Sequence, residues 1–338
     1  MIRSHILFAS VALAALVAAP QVHAATDFKG KTVTIVVGFT PGGGYDANAR
    51  AVSRYIGKYI PGNPTVIVQN MPGAGSLTAV RSLDATAAKD GTVMTMFNPG
   101  LVTQSIVTPE KVKLDFRKFA WIGVVTGDFR VCYGFGPNGI KSWDELMHRG
   151  KSNPFILGST ARGSGNYING ATLREVFHAN VKQILGFPGS AEQRLAIERG
   201  ELDGDCGSWS SIPEDWIKNN KAHPFVRFTE FRPPEIPASA VYIETFAKTD
   251  EQKQLLNVLD AADQVGRPFV MSKQVPANVV AMMRKAFNDT MKDKAFLAEM
   301  KKQQLPVNPL TGEEAEKIVA KMTSVPPAIV AKAKAIYE

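Results

Sequence analysis

The chain of 338 residues has little of what usually carries catalysis, with 2 cysteines and 5 histidines. Cys132 and Cys206 lie far apart and neither has a CxxC neighbour, which excludes a sequence-local metal knuckle or a thioredoxin-type redox pair. His5 and His23 fall in the first two dozen residues, which leaves His148, His178 and His223, each in a polar, surface-like stretch unsuited to catalysis. Neither HExxH nor GxSxG occurs, so zinc-peptidase and nucleophile-elbow chemistry have no carrier. The only "GKS", at Gly150–Ser152, lacks the upstream glycine of a phosphate-binding P-loop. The triple glycine Gly42–Gly44 lacks dinucleotide GxGxxG spacing, because the next glycine is Gly57. "LDGDCG" at Leu202–Gly207 lacks the third oxygen ligand and the late glutamate of a calcium loop. No metal and no cofactor are therefore expected.

Long apolar runs are also missing. Residues 1–24 combine Arg3, an apolar stretch from Ile6 to Ala19 and small residues around Ala24, which reads as a cleaved signal peptide and export to the periplasm. Beyond it no segment reaches eighteen consecutive apolar residues, the length a membrane-spanning helix needs. The net charge of +8 is a mild basic excess. Its lysines are scattered in mixed-sign stretches such as "MKDKAFLAEMKKQQ" with no aromatic interleaving, which argues against nucleic acid and leaves a weak field favourable to anions. In an oxidising compartment Cys132 and Cys206 either pair or stay buried as free thiols, and the preferred reading is two buried small hydrophobes. The length exceeds one ordinary core and points to two domains, which the 45% hydrophobic content suffices to fill.

Segments rich in β-branched residues alternate with longer helix-period segments, the pattern of an α/β fold with largely parallel sheets. "TVTIVVGF", "TVIVQNM", "VMTMFN", "FAWIGVVT", "RVCYGFG", "FILGST", "VKQILGF" and "LDGDCG" read as strands. Helices are expected over 46–60, 75–83, 142–149, 168–177 and 190–200, and from Thr249 onward the chain reads as mostly helical. The proline-rich "FTEFRPPEIPASA" reads as a surface connection.

Three stretches share one local design, a strand that ends in glycine and hydroxyl residues before a helix: "GFTPGGGYDANAR", "LGSTARGSGNYINGATL" and "LGFPGSAEQRLAI". In open α/β sheets ligands bind at the carboxyl ends of strands. The free N–H groups and dipole of a first helical turn attract anions there, and glycine lets the backbone approach closely. The plainer reading is that tight turns need glycine anyway. Their occurrence in both halves of the chain favours a binding site.

In this order, those motifs together with "VQNMPGAGSLTAV", "KDGTVMTMFNP" and "GFPGSAEQRLAIERGELDGD" resemble the periplasmic solute-binding proteins of tripartite tricarboxylate transporters, the Bug or TctC family, over essentially the whole mature chain. The resemblance implies a two-domain Venus flytrap with two chain crossovers, domain one spanning 25–127 plus 263–338 and domain two 128–262. It implies a monomer that binds a small organic acid between the domains, without a cofactor, and hands it to the membrane subunits of the transporter. Carried to this chain, the ligand contacts are Phe39, Thr40, Gly42, Gly43, Gly44, Tyr45, Asp46 and Asn98 in domain one. In domain two they are Asp128, Ser159, Thr160, Gly163, Ser164, Gly165, Asn166, Phe187 and Asp205. Several positions depart from the family pattern. Tyr45 replaces a small hydroxyl residue, Asn169 stands where relatives often carry histidine, and "GFPG" replaces "PYKG", so that Phe187 and Pro188 stand for its tyrosine and lysine. If Asp128 and Asp205 both face the cleft, the ligand carries an amino or other cationic group beside its carboxylate; as caps or surface residues they imply nothing. Two other classes stay open: a receptor presenting its ligand to a sensor kinase, and a cleft enzyme built on Asp46, Asp128 and Asp205.

Overall fold

The computed structural model describes residues 27–323 and 326–337, so the expected signal peptide over 1–24 lies outside the described residues. The apolar, β-branched segments form twelve strands: β1 Thr32–Val37, β2 Thr65–Asn70, β3 Val93–Met96, β4 Ala120–Val124, β5 Val131–Phe135, β6 Phe155–Ser159, β7 Val181–Leu185, β8 Gly204–Asp205, β9 Ala222–Arg227, β10 Val241–Tyr242, β11 Pro268–Met271 and β12 Leu310–Thr311. They make two six-stranded sheets with strand orders β12-β4-β11-β3-β1-β2 and β10-β9-β5-β8-β6-β7. Helices flank both sheets, so central strands such as β11 are wholly buried, as expected of a layered α/β fold.

The sheets are mixed rather than largely parallel, which corrects the expectation from the sequence. β1 runs parallel to β2 and β3, and β6 to β7 and β8. β11 runs antiparallel to both β3 and β4, and β5 antiparallel to both β8 and β9. The cause lies in the crossings. Parallel neighbours need a crossover that returns the chain to the same end of the sheet. β5 and β11 are instead the first strands after the chain has crossed from the other sheet, and each inserts mid-sheet in the opposite direction.

The two crossings run side by side. Asp128 N–H donates to the Asp263 carbonyl (2.7 Å), Val125 N–H to that of Arg267 (3.1 Å) and Arg267 N–H to that of Thr126 (3.0 Å). Gly266 permits this contact, since a Cβ there would lie 2.0 Å from the Asp128 nitrogen. The last helix, Pro327–Tyr337, departs from a tail lying wholly with the first half: its Ala333, Ile336 and Tyr337 pack with Phe177, Leu255 and Leu259 in a core cluster built mainly from the second half.

Cys132 and Cys206 form a disulfide, which corrects the preferred reading of two free thiols. Tyr133 and Asp205 are directly opposed in the antiparallel β5–β8 pair, so the next residues, Cys132 and Cys206, face each other.

Candidate functional site

Each of the three glycine-containing loops leaves a parallel strand at its carboxyl end and enters a helix. β1 leads to the helix Gly44–Ile56, β6 to Gly165–Glu175 and β7 to Ser190–Glu198. None of the three has a side-chain hydrogen bond at its N-cap, which is Gly43, Ser164 and Gly189 respectively. Their first turns present backbone donors and positive dipole ends to one place.

That place is a cavity of about 50 Å³ between the two sheets. Of the residues predicted from sequence, Phe39, Gly43, Gly44, Tyr45, Asn98, Asp128, Thr160, Ser164, Gly165, Asn166 and Asp205 line it. Thr40, Gly42, Asp46, Ser159, Gly163 and Phe187 do not, and each has a structural role. Asp46 accepts from the Gly42 N–H, Arg50 Nε and Asn70 Nδ2, each at 2.9 Å, and so holds the first loop in shape. Burial pushes its carboxyl up, but those three donors outweigh it and hold the group below its ordinary value. Ser159 Oγ accepts from Gln183 Nε2, and the Gly163 carbonyl from Asn98 Nδ2. Phe187 packs into a hydrophobic cluster with Ile156.

Thr40 and Gly42 belong to the rim, where the two halves touch. Thr40 Oγ1 donates to Glu192 Oε2 (2.9 Å), Arg194 Nη2 to the Gly42 carbonyl (2.9 Å) and the Gly44 N–H to Ser211 Oγ (3.3 Å). A Cβ on Gly43 would stand 2.7 Å from Ser190 Oγ across the same gap. The two halves are in direct contact along this rim.

At the floor, between the crossings, lies a buried ion network. Asp128 pairs with Arg267 (3.0 Å) and with Arg130, and Arg130 Nε donates to Asp263 (2.8 Å). Burial raises the Asp128 carboxyl, but the two guanidinium groups outweigh it and hold it ionised. Burial lifts Asp263 to about 7 against the pull of Arg130. The Arg267 guanidinium also lies 4.2 Å from the ring centre of Tyr45, which itself stacks on Phe39 at 4.7 Å. The charge of Asp128 is thus spent inside the protein, which removes half of the argument for a cationic group on the ligand.

Asp205 differs. It is 5% exposed, and burial lifts its carboxyl to about 7 even though Oδ1 accepts the Cys206 N–H at 2.8 Å. Three further polar atoms of lining residues have no partner in the protein: Tyr45 Oη, Thr160 Oγ1 and Gln193 Nε2. A buried polar atom left without a partner costs about 1–3 kcal/mol, so three around one cavity mark a place shaped to be filled by something polar.

Sequence reasoning missed Arg130, Ser190, Gln193, Gly207, Ser208 and Ser211, which also line the cavity. Ser190 and Gln193 belong to the third strand–loop–helix, from which only Phe187 was carried forward. Gly207 closes "LDGDCG", and Ser208 and Ser211 follow it closely.

No family model matches the chain. A UPF0065 protein from the tcbD–tcbE intergenic region of Pseudomonas sp. strain P51 is 26% identical over 237 residues, which cover 69% of this chain and 70% of that one. The structure of the periplasmic binding protein BugD matches with a TM-score of 0.75 over 90% of this chain and 97% of BugD, at 20% identity. MatC from Rhodopseudomonas palustris, solved with bound malate, matches with a TM-score of 0.72 over 91% of this chain and 99% of MatC, at 18% identity. The architecture is therefore that of a two-domain α/β periplasmic solute-binding protein. The fold is thus like that of BugD, as the resemblance of the loop motifs leads one to expect.

Proposed function

We propose that this protein is a periplasmic receptor that captures a small carboxylate by closing its two halves around it and delivers it to a tripartite tricarboxylate-type transporter. The observation that carries this reading is the meeting of three helix N-termini without side-chain caps on one cavity between the sheets. A carboxylate there takes hydrogen bonds from first-turn N–H groups of both halves at once, so its binding favours the closed form by the difference in its affinity for the two states. The hinge is the paired crossing segment, which divides the halves at 127/128 and 262/263. The malate held by MatC is a ligand of the same chemical class. Export to the periplasm and action as a monomer belong to the same proposal.

A cleft enzyme is less well supported. Of its three candidate carboxylates, Asp46 is bound to Arg50 and Asn70, Asp128 to two arginines, and Asp205, held by Asn166 and the Cys206 N–H, is the one without an arginine partner. Presentation to a sensor kinase would use the same site.

A thermal-shift screen of small carboxylates against the mature, ligand-stripped protein tests the reading. A ligand at one hundred times its dissociation constant adds about 2.7 kcal/mol, a rise of several degrees. Stabilisation by amines or sugars, with none by carboxylates, would overturn it.

A further inference from the structure

This inference rests on the carboxylate-receptor reading and concerns the rest of the ligand. The cavity wall supplied by the second half is not uniformly donating. β6 runs parallel to β8 with Leu157 beside Gly204, which brings Gly158 next to Asp205. A Cβ on Gly158 would lie 3.2 Å from the Gln193 Cγ, so Gln193 packs over the strand position beside Asp205, and both residues line the cavity. Gln193 is 2% exposed, and its Nε2 has no acceptor in the protein.

The Asn166 side chain donates to Asp205, but among the described residues no lysine or arginine is ion-paired with it, because the two guanidinium groups at the cavity floor are committed to Asp128 and Asp263. A Cβ on Gly207 would stand 2.4 Å from Asp205 Oδ2, so the carboxyl lies over a residue with no side chain to cover it. The wall therefore shows one carboxyl acceptor and one amide donor together, apart from the backbone donors of the helix N-termini.

We propose that the ligand is a carboxylate whose second polar group is neutral and both donates and accepts, a hydroxyl or a carboxamide, read by Asp205 and Gln193. Each alternative fails one partner. Once Asp205 is ionised, as at pH 8, a second carboxylate offers it no donor and repels it where the dielectric is low. An ammonium offers no acceptor to Gln193 and leaves its amide N–H buried and unmet.

The test compares straight-chain carboxylates of three to six carbons that differ only in the far group. In the four-carbon set these are succinamate, 4-hydroxybutyrate, succinate, 4-aminobutyrate and butyrate. Titration calorimetry on the mature protein is run at pH 8, above the value near 7 to which burial lifts Asp205. The hydroxyl or amide member of the best-fitting length is expected to bind at least ten-fold tighter than its dicarboxylate and amino counterparts. Asp205→Asn should bring the dicarboxylate level with the amide, and Gln193→Leu should remove the preference over the amino acid. These are ratios within one folded protein, so lowered yield of a variant does not obscure them. Carboxylates that bind with the dicarboxylate or the amino acid preferred would overturn this inference and leave the receptor reading standing. Binding by no carboxylate of any length would remove both.

Discussion

Breaking the Cys132–Cys206 bond tests the second half of the molecule most directly, because the bond closes a loop of 74 residues. In the chain-entropy account, a loop of that length restricts the unfolded chain by about 4.5 kcal/mol at 25 °C. Measured effects of single disulfides run at about 2–4 kcal/mol. If the second half melts as a unit of about 135 residues, its unfolding entropy near 60 °C is ~0.3 kcal/mol per degree. Reduction should then lower its melting temperature by roughly 7–13 °C, and by about half of that if both halves melt together. Both cysteines are fully buried, so reductant must act on urea-unfolded protein, which is then assayed by parallel unfolding curves with and without reductant. Ligand affinity should fall as well, because Asp205 and Gly207 flank Cys206 and both line the cavity. Coincident curves, or two titratable thiols in the unfolded, unreduced protein, would refute the bond and with it this account of how β8 is held.

Gly43→Val should abolish carboxylate binding with near-normal circular dichroism, because the Cβ alone falls 2.7 Å from Ser190 Oγ; unchanged affinity in calorimetry would take the first loop out of the site. Tyr45→Phe removes a buried hydroxyl that has no protein partner, so urea stability should rise by about 1–3 kcal/mol while ligand affinity drops by roughly five-fold or more; a loss of stability with unchanged affinity would place that hydroxyl in the fold instead. Burial lifts Asp205 from 3.8 to about 7, so between those values the folded chain keeps a proton that the unfolded chain has lost. This contribution to stability is complete below about pH 4 and is lost as the pH rises through 7. Asp205→Asn should therefore lessen the fall in stability between pH 4 and pH 8 by up to about 4 kcal/mol. Asp263, which titrates in the same range, is common to both proteins and cancels in the difference, so equal pH slopes would contradict the burial of Asp205.

Local signals in the sequence revealed the elements whose causes are local. Segments rich in β-branched residues that end in glycine before a helix-period stretch marked β1, β6 and β7 with their helices, and these supply the three N-termini of the site. The strands that were missed depend on the other half of the chain. β11, "PFVM", is only four residues long and opens with proline, yet it is fully buried because β3 and β4 pair with it from both sides. β9 contains Pro224, which is tolerated because the register against β5 shifts at that point, as at a bulge. Missing β9 and β11 concealed the antiparallel insertions, and so concealed the opposition of Cys132 to Cys206. Arg267 and Asp263 were illegible for the same reason, since only the second crossing carries them to Asp128. The three aspartates offered as ligand contacts look alike in sequence, and only their neighbours separate them: Arg50 and Asn70 occupy Asp46, two guanidinium groups occupy Asp128, and Asp205 has neither.

That separation bears on how the proposed receptor, with its mild net charge, would hold an anion and still release it. The formal charges at the cavity floor, Asp128 and Asp263 against Arg130 and Arg267, balance one another and also tie the two crossings together. An unpaired arginine in so buried a place would bind a carboxylate strongly in either form of the protein and so would scarcely distinguish open from closed. Backbone N–H groups at helix starts act differently. Those of the first half sit on the Gly44 helix and those of the second on the Gly165 and Ser190 helices, so a ligand meets all of them only when the halves are together. On the proposed reading, affinity would be concentrated in the closed state, closure would signal occupancy, and breaking rim contacts such as those of Thr40 and Arg194 would be part of returning the ligand to water.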